Sequence, residues 1–383
     1  MDFFIGTQCI LCETDEHNNF NKRTMALLQH IMNHQHNRRL PRPRVFRDTT
    51  CPLVTLTDTE LVARYRLPRH AIMELCDIVQ QDIHRVTHRS HPLTVATQVL
   101  TALRFYATGC MQKDVGDLHG ISQPSASRSI TGVSAAIACV ARNYISLPQS
   151  NITKIMQDFG EVANIPNVVG CVDGTQIPIS APHHNEHLYI CHKGFHAINV
   201  QVVCDSQLRL TNIVAKWPGS THDSFMWQNS ALYHRMRANN MGWLLGDSGY
   251  PLSPVLLTPV ARPNSRAEDS YNTAHKRTRN TVERAIGLWK MRFRCLHKTG
   301  GCLQSKPETC VKIITACAVL HNICINEGIS DLTDLTDNQR EEDGQDDGSE
   351  SQVELSTSRA FTDRENGRSA RSRLIAQRFT HEA

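Results

Sequence analysis

The chain has 383 residues, 40% of them apolar and 20% charged, the composition expected of a soluble globular protein with one core domain, a smaller domain and tails. No run of about 18 apolar residues is present, and the opening MDFFIGTQCILCETDEHNN lacks the basic start and apolar stretch of an export signal, which argues against a secreted or membrane-spanning protein. The formal net charge of +4 is segregated: residues 331–354 carry ten Asp or Glu and only Arg340, a net of −9 that leaves +13 on the remainder and points to a polyanionic partner.

Residues 1–55 have little periodicity and contain the Pro-broken basic run NRRLPRPRVFR. They read as a flexible basic arm, because Pro41 and Pro43 forbid a continuous helix. Order begins at Thr57, which has capping-box spacing to Glu60 ahead of an apolar run. Residues 56–150 are then expected to form an all-α domain. Within it, TVATQVLTALRFYATG ends at Gly109, a short helix carries Val115 and Leu118, a turn falls at Gly120, and a further helix starts around Ser122 and Pro124. That order is a helix-turn-helix. Its second helix would offer Gln123, Ser125, Ser127 and Arg128 to DNA, with Lys113 on the helix before it; a plain helical bundle has the same pattern.

From Asn167 the period changes from helical to alternating. VVGCVDGTQIPI, HAINVQVVCDSQ and LRLTNIVAKWPG read as three antiparallel strands, SFMWQNSALYHRMRA as a helix capped by Asp223 or Ser224, and WLLGDSGYPL as a fourth, buried strand. An amphipathic basic helix over Thr281–Leu296 and an apolar one, CVKIITACAVLHNICIN, follow. The order predicts an α/β domain over 151–327, a ribonuclease H-like mixed sheet flanked by helices and preceded by the all-α helix-turn-helix domain. Residues 328–383, acidic and then Arg-rich, lack a core pattern and are expected to be disordered.

Three carboxylates stand out in that frame. Asp173 follows the apolar run of the first strand and Asp247 that of the fourth, where an acid is costly unless a ligand balances it. Glu283 is the one acid among eight cations between Lys276 and Lys298. Placed side by side, the two strands would bring Asp173 and Asp247 together, with Glu283 above them. Such a set suits Mg²⁺ or Mn²⁺ and phosphoryl transfer, although Glu283 can also simply pair with Arg279 four residues earlier. Asp223 is a fourth candidate ligand, or an ordinary N-cap. Lys193, Lys216, Arg279 and Lys290 would meet DNA phosphates.

The blocks VVGCVDGTQIPI, HKGFHAINVQVVCD, WPGSTHDS, WLLGDSGYPL, YNTAHKRTRNTVERAIGLWKMRFRCL and ACAVLHNICIN occur in an order that resembles the PIF/Harbinger-type DDE transposases and the nuclease domesticated from them. The likeness covers roughly residues 55–327. It implies a DDE nuclease of ribonuclease H-like fold with acids at Asp173, Asp247 and Glu283, and a further shared acid at Asp223. It also implies that a separate Myb-like protein supplies DNA recognition and nuclear import, which places the chain in the nucleus with a cytoplasmic pool. Assembly with further copies is a possibility the family leaves open.

Two other functions compete with a metal-dependent nuclease. A catalytically silent transposase derivative would keep the fold for DNA binding or scaffolding. A zinc hydrolase would use Cys9, Cys12 and the crowded His183, His184, His187, His192 and His196, but these lack paired finger spacing. The other cysteines, among them Cys139, Cys171, Cys204, Cys317 and Cys324, sit in apolar segments and read as reduced core residues.

Overall fold

The computed structural model describes residues 25–26, 51–84, 92–147, 151–329 and 358–380. Residues 1–48 form a unit of their own in which only Met25 and Ala26, both helical, are described, so the Cys9–Cys12 pair and most of the arm expected over 1–55 lie outside the described residues, while its end, Pro52–Thr55, is a helical turn. Residues 49–383 form the second unit.

Local chemistry sets the helix ends. Helix α1, Asp58–Tyr65, starts at a complete capping box, the Thr57 hydroxyl accepting from the Glu60 N–H and the Glu60 carboxylate from the Thr57 N–H at 2.9 Å. Helix α2 is Arg69–Ile83, and α3, Val95–Thr108, stops where Gly109 turns to φ 69°. A turn through Gly120, φ 65°, joins α4, Gln112–Leu118, to α5, Gln123–Cys139, whose first turn contains Pro124 and is capped by Ser122. Helix α6 is Ile152–Ala163. Short helical turns at Pro52–Thr55, Ala141–Tyr144 and Glu186–Tyr189 complete this half and the loop after the first strand.

The sheet has the order β3-β2-β1-β4-β5. Strands β1, Val168–Pro178, β2, Ala197–Cys204, and β3, Leu210–Pro218, form the antiparallel meander. The chain then crosses over through α7, Asp223–Gln228, and α8, Ala231–Asn239, to return as β4, Trp243–Leu245, parallel to β1. A parallel neighbour requires such a crossover. The two-residue β5, Leu256–Leu257, adds an edge that the alternation did not announce.

Both faces are covered. On one lies α9, Arg266–Arg292, over β1 and β2, and α10, Pro307–Asn326, over β3. On the other, Val172, Val203 and Leu244 pack with Trp227, Leu232 and Met236 from α7 and α8. This is a ribonuclease H-like mixed sheet flanked by helices, as expected. Helix α10 is long and apolar enough to cross a membrane by composition, but it packs against α5 as well as β3 and serves as a core helix.

The structure corrects four boundaries. The expected break near residue 150 is no gap in packing, because α10 from the sheet half lies along α5 and the two halves share one core. The helix expected over 224–238 is two, since the Ser230 side chain ends one and caps the next by accepting from the Tyr233 N–H. Helix α9 begins 15 residues before Thr281, where Ser265 caps it. The Arg-rich tail contains α11, Ser358–Arg378, instead of being disordered throughout. Leu374, Ile375 and Phe379 are buried, and Asp363 accepts from Tyr233 and Arg237, both at 2.8 Å. The sparse apolar spacing of that helix hid these contacts from a search for a core pattern.

Candidate active site

In the pairing of β1 with β4, Cys171 stands opposite Leu245. Asp173 lies two residues beyond Cys171 and Asp247 two residues beyond Leu245, past the end of β4, and the charge of Asp247 acts on Asp173. Asp173 is held on the α9 side of the sheet. Cys171, on that same side, donates its Sγ–H to the Thr278 carbonyl at 3.4 Å, and Asp173 accepts from Arg279 at 3.4 Å and from the Gly174 N–H at 2.9 Å. Asp247 is steadied by the Gly249 N–H at 3.1 Å.

Glu283 reaches the site along a slowly turning stripe of α9. Residues four apart on a helix drift by about 40° per step, and Tyr271, His275, Arg279 and Glu283 emerge accordingly. Tyr271 is fully buried and donates to the Thr258 carbonyl, and His275 bonds the Leu257 carbonyl at 3.2 Å. The Arg279 side chain is then 19% exposed and that of Glu283 47%. The two anchored residues fix the rotation of α9, which leaves Glu283 at the rim. Arg279 binds the carboxylates of both Asp173 and Glu283. The ion pair and the approach of Glu283 to Asp173 are therefore one arrangement, with a guanidinium between the two acids.

Asp223 comes from the opposite side. It is the first residue of α7 and does not cap it: His222 holds the cap position, with no side-chain bond. Its Oδ1 instead accepts from Asn199 Nδ2 at 3.0 Å, and that amide also donates to the Thr221 carbonyl. A Cβ on Gly174 would lie 2.4 Å from the Asp223 carboxylate. The glycine of VDGT is thus the space Asp223 occupies. Asn199 and Gly174 were missed from sequence. Only the β1–β2 register, pairing Gln176 with Asn199 and Gly174 with Gln201, shows that they share a face.

The electrostatics follow from this crowding. Burial, then the charge of Asp247, pushes the Asp173 carboxyl up to about 7; Arg279 opposes the rise and Asp223 adds to it. Burial works against the Arg279 charge, but Asp173, Glu283 and Asp247 together raise it above its ordinary value. Tyr250 is buried beside the group. Burial first, and then Asp223, Asp173 and Asp247, keep its hydroxyl protonated.

The donor set fits a hard divalent cation in chemistry: several carboxylate oxygens, one of them disfavoured as an anion by its like-charged neighbours. It is an open set, and among the described residues no three His, Cys, Asp or Glu side chains converge closely enough to form a ready cage. The histidine group does not do so either, and His196 pairs with Glu186 at 3.0 Å. The twelve described cysteines are free thiols.

The expected DNA contacts divide. Lys113, Gln123 and Arg128 are exposed on α4 and α5, and Ser125 and Ser127 are half-buried. Arg128 donates to Ser125 at 3.3 Å. Lys193 and Lys216 are exposed. Lys290 donates to the Gln176 carbonyl at 3.3 Å, and Arg279 is engaged by two acids, so both helix cations have partners within the protein.

Residues 172–322 match the DDE superfamily endonuclease family. The chain is 37% identical over 278 residues to "Putative nuclease HARBI1" of Mus musculus and, equally, of Homo sapiens, covering 72% of this chain and 80% of each relative. It is 25% identical over 285 residues to "Protein ALP1-like" of Arabidopsis thaliana, covering 68% of this chain and 70% of that one. No solved structure matches. The chain belongs to the DDE superfamily endonucleases, in their Harbinger transposase-derived branch.

Proposed function

We propose that the chain is a divalent-metal-dependent DNA endonuclease that hydrolyses phosphodiester bonds, with strand transfer as an allied outcome, and that Asp173, Asp247 and Glu283 are its catalytic residues. The observation that carries this reading is the gathering of acids around Asp173: Asp247 follows the parallel strand beside it, Asp223 enters the space left by Gly174, and Glu283 shares the Arg279 guanidinium with it. Asp173, Asp223, Asp247 and Glu283 would hold Mg²⁺ or Mn²⁺, which supplies Lewis-acid polarisation of a phosphoryl oxygen and a bound water acidic enough to attack. The protein's own work is positional. Asn199 and the gap at Gly174 aim Asp223, the β1–β4 pairing brings the charge of Asp247 to bear on Asp173, and Arg279 keeps Glu283 near Asp173 until a stronger cation competes for both. Lys193 and Lys216, with Lys113, Gln123, Ser125, Ser127 and Arg128 on the helical side, would steer DNA through phosphate contacts. A Myb-like partner that adds sequence recognition, assembly of several copies and a nuclear site of action with a cytoplasmic pool belong to the same reading.

The test is cleavage of supercoiled DNA by the purified protein in Mg²⁺ or Mn²⁺. Wild-type protein should nick or linearise it, and Asp173→Ala and Glu283→Ala should each lose at least about a thousandfold in rate, the scale of several kcal/mol of transition-state stabilisation. Cleavage that persists in both variants would sink the assignment. A second reading, a silent DNA-binding scaffold, is favoured by the guanidinium lodged between Asp173 and Glu283. It predicts DNA binding without cleavage and no carboxylate-dependent metal binding.

A further inference from the structure

The sheet face that carries Asp223 also carries an aromatic pair for which the cleavage chemistry has no use. Gln176, Asn199 and Trp217 are register partners across β1, β2 and β3, so their side chains form one row at the spacing of about 4.8 Å between strands. Asn199 holds Asp223, and Trp217 is its neighbour in the row. On Trp217 rests Phe225, two residues beyond Asp223, with ring centroids 5.1 Å apart and planes at 80°. The Lys216 ammonium lies 4.7 Å from the Trp217 centroid. Phe225 is 42% exposed. It is a large apolar ring left in water, fixed by a partner that also carries the exposed cation Lys216.

An aromatic face held rigid in a basic setting is the surface on which single-stranded nucleic acid stacks its bases, in a sequence-tolerant way, while neighbouring lysines meet the phosphates. Beneath it, Gln176 Oε1, Asn199 Oδ1 and Trp217 Nε1 are buried without a protein partner, so the row is polar and differs from an ordinary core face. We propose that Phe225, backed by Trp217, is the stacking platform for one unpaired base of the DNA strand whose phosphate is presented to Asp173, Asp223 and Asp247. The protein would then favour DNA with a base already unpaired, since unstacking it from a duplex costs a few kcal/mol. This rests on the nuclease reading of the same site.

The test uses the full chain with Ca²⁺, which fills carboxylate sites while binding is read, and two probes: a fluorescent fully paired duplex and the same duplex with one bulged base. Wild-type protein should bind the bulged duplex more tightly. Phe225→Ala should lose about 5- to 100-fold in affinity for it, the range given by one base–aromatic stack, and should bind the paired duplex nearly as before. Phe225→Trp should restore the preference. The salt slope should be unchanged in Phe225→Ala and shallower in Lys216→Ala, because only the lysine meets a phosphate. Equal affinity of wild type and Phe225→Ala for the bulged duplex would overturn the platform while leaving the nuclease reading intact. A shift in oligomeric state in Phe225→Ala with unchanged DNA binding would also overturn it, by assigning Phe225 to a contact between copies. Wild-type protein that binds neither probe would overturn the nuclease reading and the platform together.

Discussion

Two aspartates of the sheet, Asp205 just past the end of β2 and Asp173 in the middle of β1, differ in what surrounds them: the first is buried and the second half-buried. Asp205, in the β2–β3 turn, is 1% exposed and its acceptors are filled: the Gln207 and Arg209 N–H groups each donate to Oδ1 at 2.9 Å, and Arg209 Nε donates to Oδ2 at 2.8 Å. Nearby, Asn322 of α10 bonds Leu210 through both its N–H and its carbonyl, and His321 bonds the Leu208 carbonyl. Asp173 has the adjacent Gly174 N–H and one long contact to Arg279, and two further acids crowd it. An acid whose lone pairs are filled by its own turn is structural. One that meets like charges under partial burial costs folding energy, which marks it as a candidate for chemistry.

Removing each acid should have the largest and most unequal effects. Asp205→Ala should destabilise the protein by about 2–4 kcal/mol, because three hydrogen bonds go and two N–H groups lose their acceptor. Asp173→Asn should leave stability at pH 8 unchanged or higher while abolishing cleavage. Urea denaturation of both variants measures this, and equal losses of stability would erase the distinction.

Smaller in effect is Gly174→Ala, whose methyl would fall 2.4 Å from the Asp223 carboxylate. The carboxylate must move, and a displacement on the order of 1 Å at such a site can cost about a hundredfold in rate. The expected outcome is a 10- to 100-fold loss of cleavage with unfolding little changed. Full activity would show that the position of Asp223 does not matter.

The gentlest probe is pH, to which the buried histidines and Asp173 respond with opposite signs. Burial lowers His321, next to the Asp205 turn, to about 3, and His119 and His275 to about 4. The unfolded chain then binds protons that the folded one does not, so stability falls as pH drops from about 6.5 towards 4. Asp173, raised to about 7, binds its proton more tightly when folded, so in metal-free protein its contribution falls as pH rises from about 4 to 7. Asp173→Asn should remove the second slope and spare the first. A stability profile identical to wild type would mean that Asp173 is not under the strain described.

Much of this was legible in the residues themselves. The capping box at Thr57, the cap at Ser122, the Gly109 stop, the three-strand meander and the positions of Asp173 and Asp247 all depend on local periodicity or on an acid ending an apolar run. Features that depend on a partner far along the chain were hidden. The role of Gly174 exists only because Asp223 arrives 49 residues later, and Asp223 reads as a cap until His222 is seen to take that place. The Arg279 contact with Asp173 crosses 106 residues. Helix α11 has few apolar residues, and its docking uses Asp363 and Arg371, the latter donating to the Thr258 and Pro259 carbonyls, which no apolar periodicity reports.

If the acids gathered around Asp173 form a cation site, metal-free protein should bind Mn²⁺, which calorimetric titration measures. Binding should depend on Asp173 and Asp247, each Asn variant weakening it at least about tenfold. It should also release protons from Asp173, more at pH 6 than at pH 8, as seen by repeating the titration in buffers of different ionisation enthalpy. Absence of Mn²⁺ binding, or binding that survives both substitutions, would mean that these acids hold no cation.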